Sequence, residues 1–367
     1  MDARTRFITS ILGGKVDRFF RYEHGMWPST RELWLTQGLP ANVGCYADSQ
    51  EFVDYFGFDP LIRIGVKSGY TDSPYFPDFQ KEIIESSAEH VVYRDIDGVV
   101  KKVFTTQSDT SMPQFMRFPV ENREDWKKIQ ERLDPADTAK RIGDVTGLAR
   151  MCADTSIPTM LPLCGAFGHP RNLLGDEGLG YAIYDDPDMI HEILSNWYEL
   201  YARLIFELSH TIRIDSILIW EDMCYKTGPL IAPEQFRRFM FPYYVKLITL
   251  ARECGVQCVL VDSDGDVMKM IPVFLDAGVD CLMPFEVQAG MDVVEIRKHF
   301  GDSFCIMGGI DKRALAHGPA EIDAEVRRVV PSFIESGRFI PTLDHTIPTN
   351  VTLASFQTYL SCLRSFE

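Results

Sequence analysis

Several things are missing from this sequence, and each absence removes a class of protein. No stretch approaches the roughly 18 apolar residues of a membrane span, so no membrane partner is expected. The opening residues, Met1-Asp2-Ala3-Arg4-Thr5-Arg6, carry no apolar core of a secretion signal, which leads to the expectation of a cytoplasmic protein. Basic charge is scarce: 37 Lys and Arg face 53 Asp and Glu, for a formal net charge of −16. That balance argues against nucleic acid, whose phosphates demand a basic footprint. It also makes a polyanionic substrate harder to attract, unless a local basic pocket overrides it. The nine cysteines include no CxxC pair, and several, such as Cys281 and Cys305, sit inside apolar runs. An odd, scattered set reads as reduced thiols used as small buried hydrophobes, not as a disulfide framework. There is no GxGxxG loop, no low-complexity linker, no charge block and no short-period repeat.

What remains is globular material: 367 residues, 46% hydrophobic and 25% charged, enough apolar surface for one large core. The organisation expected is a single domain over residues 1–367. Residues 1–156 form an N-terminal part with extra helices and a hairpin, and residues 157–367 form regular strand–helix repeats. Within the first part, Val91-Val92-Tyr93 and Val99-Val100 flank an Asp97-Gly98 turn and predict a hairpin over 91–105. Residues 112–119, rich in proline and aromatics, predict a loop packed on the rest. In the second part, short apolar runs at Thr159–Leu163, Ser216–Trp220, Gln257–Val261, Asp280–Met283, Phe304–Met307 and Arg338–Leu343 alternate with amphipathic helices. One helix opens at Asp186-Pro187, a cap and first-turn pair, with an apolar stripe from Ile190 to Leu208. Another runs from Met291 to Phe300 and stops at Gly301. Alternating strands and helices predict a parallel sheet. Without a dinucleotide loop they favour a closed (β/α)8 TIM barrel, an α/β fold, over a doubly wound Rossmann-like sheet, which stays the alternative.

In such a barrel the residues just past each strand converge on one mouth, and chemistry sits there. Ile217-Leu218-Ile219-Trp220 ends in Glu221-Asp222, and Cys258-Val259-Leu260-Val261 ends in Asp262-Ser263-Asp264-Gly265-Asp266. Leu282-Met283-Pro284 leads to Glu286, Ile306-Met307 to Asp311-Lys312-Arg313, and Phe339-Ile340-Pro341 to Asp344-His345. A lone Asp after a strand usually caps the next helix or closes an Asx-turn, and Asp266 and Asp311 suit that role. The Asp262 segment is no calcium loop, because its glycine falls at position four and position twelve is Val273. Five acidic strand ends together are harder to assign to capping, since clustered carboxylates repel unless a cation or proton sits among them. Arg21-Tyr22-Glu23-His24-Gly25-Met26-Trp27 reads either as a first barrel strand with an aromatic cluster at its exit or as the source of an acid/base or anchoring pair, Glu23 and His24.

With these segments in view, the chain resembles the uroporphyrinogen decarboxylase superfamily, which also holds the corrinoid-dependent methyltransferases. The resemblance spans nearly the whole chain and is best from residue 157. Its carriers are Pro162-Leu163-Cys164-Gly165-Ala166-Phe167, Trp220-Glu221-Asp222, Ile231-Ala232-Pro233-Glu234-Gln235-Phe236-Arg237-Arg238-Phe239, Phe241-Pro242-Tyr243-Tyr244, Gly308-Gly309-Ile310-Asp311, and Asp344-His345-Thr346-Ile347-Pro348-Thr349-Asn350. The superfamily fold is a TIM barrel. The decarboxylases carry a Met-Arg-Gln-Ala-Gly-Arg segment that grips substrate carboxylates, where this chain has the acidic and aromatic segment at 21–27. The methyltransferases bind zinc through a His-x-Cys pair after one strand and a Cys near the last; the matching positions here are Asp262, Asp264 and His345.

The resemblance therefore implies a methyltransferase that moves a methyl group between a small methylated compound, an O-methyl aromatic, and a corrinoid carried by a partner protein. Asp262, Asp264 and His345 would hold a divalent metal, zinc. Glu221, Asp222, Glu286, Glu23 and His24 would position or protonate the substrate. Tyr22, Trp27 and Tyr225 would line its pocket, with Asp311 and Asp344 as further contacts. The alternatives are a decarboxylase of a small carboxylic acid and a barrel that binds a ligand without turnover.

Overall fold

The computed structural model describes all residues except 48 and 106–112. Thirteen strands are present among the described residues: β1 (Ile62–Arg63), β2 (Glu82–Ser86), β3 (His90–Arg94), β4 (Val100–Phe104), β5 (Gln114–Arg117), β6 (Thr159–Cys164), β7 (Ser216–Trp220), β8 (Cys224–Tyr225), β9 (Gly228–Pro229), β10 (Cys258–Asp262), β11 (Cys281–Met283), β12 (Cys305–Met307) and β13 (Phe339–Ile340). Seven of them form one curled sheet in the order β1-β6-β7-β10-β11-β12-β13, and every pairing in it is parallel. The molecule is an α/β TIM barrel with an N-terminal elaboration. Residues of β6, β11, β12 and β13 are buried throughout, because helices cover the sheet outside and side chains fill it inside. No helix among the described residues is long and apolar enough to cross a membrane.

The helix Pro187–Ser209 shows how sequence makes the outer layer. Asp186 caps it by accepting from the Met189 N–H at 3.1 Å, and Pro187 opens the first turn. Ile190, Ile193, Leu194, Trp197, Tyr201, Leu204, Ile205 and Leu208 are all buried, each contributing about 2 kcal/mol of apolar burial. Trp197 also pins the helix to the barrel, its indole Nε1 donating to the Cys164 carbonyl at 2.9 Å. The second helix spans Val293–Phe300, capped by Asp292 at its start and by Gly301 at its end.

The eighth place in the barrel wall differs from the sequence expectation. Residues 21–25 are not a strand. The chain there passes between β13 and β1, and beside backbone bonds from the Asp59 N–H to the Arg21 carbonyl at 2.9 Å and from the Ile347 N–H to the Gly25 carbonyl at 3.0 Å, side chains supply hydrogen bonds that a ladder would otherwise make. The Leu343 N–H donates to both carboxylate oxygens of Glu23, at 3.2 and 3.3 Å, and the Arg21 N–H donates to Asp59 at 2.9 Å. Only at Met26 does the segment make a parallel bridge, to Ile347. A second difference concerns the region expected to be a loop over 112–119. Residues 114–117 form β5, which joins β2, β3 and β4 in a four-stranded antiparallel sheet; residue 112 lies outside the described residues. Phe115 and Met116 are exposed there, so the strand is set by backbone pairing with β4, which a search for buried apolar runs does not detect. The hairpin over 91–105 is β3 and β4. All nine cysteines are free, and those at 152, 164, 224, 258, 281 and 305 are buried.

Candidate active site at the barrel mouth

A cleft of about 1070 Å³ opens at the carboxyl ends of the strands. Asp262, Asp264, His345 and His24 line it, together with Arg63, Tyr70 and Trp220. Asp262 is the last residue of β10, and the chain then turns so that Asp264 faces His345, whose Nε2 lies 3.5 Å from Asp264 Oδ2. Glu286 reaches the same point from the exit of β11. One donor atom each from Asp264, Glu286 and His345 lies within 4.8 Å of the others. Glu286 is also held by the Gly265 N–H, which donates to its Oε2 at 3.1 Å, and by Lys312, whose Nζ lies 3.7 Å from Oε1.

The charges in this cluster are tuned by their neighbours. Burial alone would raise the carboxyl of Asp264, but the hydrogen bond and charge of His345 outweigh it and hold it below the usual range. Burial would lower His345, yet the same pairing with Asp264 raises it. Burial pushes Asp262 up to about 8, with the charge of Asp264 adding to the rise and His345 opposing it. His24 is pushed down to about 3 by burial and then by the charge of His345; it is therefore a neutral imidazole at physiological pH. Its Nε2 lies 3.2 Å from the Thr342 hydroxyl.

The donor set tests whether a divalent ion fits. Two carboxylates and an imidazole suit Zn²⁺, whose tetrahedral bonds of about 2.1 Å set donors about 3.4 Å apart, close to the 3.5 Å already found between Asp264 and His345. The three residues are half-buried, which leaves coordination positions facing the cleft. The residues present fit the ion.

The other sequence-predicted residues are placed elsewhere. Asp262 lines the cleft but is not in the three-residue donor cluster. Glu221 is fully buried and does not face the cleft. It accepts from the N–H groups of Ala166, Phe167 and Gly168 at 2.9, 2.8 and 3.0 Å, closing the start of the helix Gly168–Asp185. Asp222 lines an adjoining pocket of about 440 Å³ that shares Tyr70 and Trp220 with the cleft, and it pairs with Arg171 at 3.0 Å. Glu23 is buried beneath the mouth. Asp344 is also buried and ties two strand exits together, accepting from the Val287 and Lys312 N–H groups at 3.0 Å each. Asp311 caps the turn at Lys312 and pairs with Arg313 at 2.7 Å. Tyr22 is buried behind the cleft wall with its hydroxyl against Arg63, while Trp27 and Tyr225 are exposed to solvent. Sequence reasoning missed Arg63 and Tyr70. The strand that carries Arg63 has two residues, too few for any alternation to register.

The mouth thus defines an enzyme-type barrel with convergent polar groups in one cleft. The chain matches the family described as Uroporphyrinogen decarboxylase (URO-D) over residues 103–366. It belongs to that family of enzymes. A uroporphyrinogen decarboxylase of Vesicomyosocius okutanii is 22% identical over 268 residues, covering 70% of this chain and 72% of that protein. One from Sodalis glossinidius is 24% identical over 254 residues, covering 65% and 67%. Among solved structures, a methyltransferase from Methanosarcina mazei superposes with a TM-score of 0.68 at 14% identity, over 100% of this chain and 99% of that one; at that identity the likeness is one of fold.

Proposed function

We propose that this protein is a corrinoid-dependent methyltransferase that acts on a small O-methyl aromatic compound and works with a corrinoid-binding partner protein. The observation that carries the reading is the cluster of Asp264, Glu286 and His345 at the mouth, a donor set suited to a divalent metal, zinc. An ion bound there would supply Lewis-acid polarisation of the ether oxygen. Asp264, Glu286 and His345 would hold it. His24, uncharged beside them, offers a hydrogen bond without adding repulsion to the cation. The partner's corrinoid would supply the methyl acceptor, and the residues of this cleft would orient the methyl carbon–oxygen bond so that the oxygen, which keeps the electron pair, could take up a proton. Lys312, the ammonium nearest Glu286, compensates the charge of the acidic cluster.

The test is optical, since cob(I)alamin and methylcob(III)alamin differ in absorption. Zinc-loaded protein, reduced cobalamin and a panel of methoxyaromatics and methylamines are mixed without oxygen. Alkylation of cobalt by a methoxyaromatic is the expected result. If the folded, metal-loaded protein alkylates cobalt from no donor, the reading falls. The second reading, a decarboxylase of a small carboxylic acid, is favoured by the names of both curated relatives, and product analysis with such acids distinguishes it.

A further inference from the structure

Arg63 ends β1 at the barrel mouth and lines the cleft. Its Nη2 donates to the Tyr22 hydroxyl at 2.7 Å, and its Cζ lies 5.8 Å from the centre of the Tyr70 ring. Both neighbours are phenols. Burial pushes Tyr70 up to about 12, so it carries no charge to offset the guanidinium. Among the described residues no carboxylate oxygen comes within 4.0 Å of Arg63. Asp262 shares the cleft but stands beyond that distance. The contrast with the other arginines nearby is sharp: Arg171 is paired with Asp222, and Arg6 and Arg18 with Asp59. Arg63 is half-buried and makes no carboxylate pair among the described residues, so an anion delivered to it through the cleft gains a charge-assisted, two-pronged hydrogen bond.

Its position adds a length requirement. In the sheet order, β11 stands four places from β1, which in an eight-place barrel is the opposite wall. Glu286, at the exit of β11, therefore faces Arg63 across the mouth. The cleft wall also carries the indole of Trp220, with the Arg171 guanidinium 5.1 Å from its ring centre, and the apolar Met283 and Pro284 at the exit of β11. The mouth thus sets a cation on one wall and a polar cluster on the opposite one, with aromatic and apolar side chains in the cleft lining. We infer that Arg63 is the specificity determinant for a carboxylate on the substrate, and that the substrate class is aromatic carboxylic acids whose reacting group lies opposite, at Asp264, Glu286 and His345. Tyr22 is then a positioning residue, holding the guanidinium fork in place. This inference rests on the proposed function for the location of the substrate, though not for the reaction.

Binding measurements test it without turnover. The probes are 3-methoxybenzoate and its neutral analogue 3-methoxybenzyl alcohol, titrated into the full-length protein by calorimetry, with Trp220 fluorescence as a second readout. The wild type should bind the acid at least about tenfold more tightly than the alcohol. Arg63→Met should lose that preference while binding the alcohol unchanged, and Arg63→Lys, which keeps the charge but loses the fork, should fall between. If Arg63→Met fails to fold, as its melting curve would reveal, the wild-type preference and the Arg63→Lys value still decide. Equal binding of acid and alcohol by the wild type, no binding of the acid, or undiminished acid binding by the folded Arg63→Met protein would each overturn the inference. Acid preference without any methyl transfer to cobalamin would overturn the proposed reaction and leave the inference standing.

Discussion

The phenol of Tyr359 donates to Oε1 of Glu23 at 2.7 Å, in a spot where both side chains are shut away from solvent. Burial pushes Glu23 up to about 8, against the opposing pull of Tyr359 and of the Leu343 N–H. The consequence for stability has a definite sign. Between the ordinary carboxyl value of 4.5 and about 8 the folded protein keeps this proton and the unfolded chain does not. The stabilisation is thus complete at low pH within the folded range and is lost as pH rises through that window. Urea unfolding at about pH 5 and about pH 8 should show a fall on the order of a few kcal/mol, and Glu23→Gln should remove its share of that slope. A slope identical in the two proteins would refute the assignment.

Glu221 gives a second stability prediction. Its carboxylate closes three backbone N–H groups at the start of the helix Gly168–Asp185, and the space left for it is tight: a Cβ on Gly165 would sit 2.2 Å from its Cδ. Glu221→Ala strands those donors and should cost about 3 kcal/mol or more. Gly165→Ala should destabilise too, by collision. Thermal melts check both, and a Glu221→Ala protein as stable as the wild type would contradict the capping role.

The barrel was legible because its signals are local and repeated. The Ile190–Leu208 stripe and the six apolar runs each declare their own element, and the acidic residues that follow them mark the mouth. What was not legible depends on which way a side chain turns. Asp262 closes β10 in register with Trp220 and, like it, lines the cleft, whereas Glu221 falls one place past the end of β7 and turns inward to cap a helix. Gly165, more than fifty positions away in the chain, leaves the room that the Glu221 carboxylate takes. Arg63 and Tyr70 escaped for the opposite reason: they lie in the irregular half, where a two-residue strand leaves no periodic trace.

The metal proposal makes a prediction that separates two ligand sets. Dialysed protein titrated with Zn²⁺, or with Co²⁺ as an optical probe, should take up one equivalent. Glu286→Gln and His345→Ala should each weaken binding by about tenfold or more. Asp262→Asn should leave the affinity close to that of the wild type, since Asp262 is outside the donor cluster. The reverse pattern, loss with Asp262→Asn and none with Glu286→Gln, would assign the ion to Asp262, Asp264 and His345.

Uroporphyrinogen should not be decarboxylated at enzymatic rates. The formal charge of −16 opposes a polycarboxylate, and the segment 21–27 offers Glu23, His24 and aromatics where an arginine-rich grip is needed. Chromatography of porphyrin products settles the point: coproporphyrinogen accumulating at enzymatic rates would show that the cleft accepts this ligand.

The wall between β13 and β1, where the Glu23 and Asp59 side chains stand in for much of a ladder, bears on how the molecule breathes. Where β6, β7 and β10 interlock through consecutive backbone pairs, a fluctuation must break several bonds at once. At Leu343 and Arg21 the rotation of one carboxylate frees an amide. Deuterium from solvent should enter those two amides well ahead of any in β7 or β10, so the barrel has a preferred line of parting, and that line runs directly beneath the mouth where His24 and His345 stand.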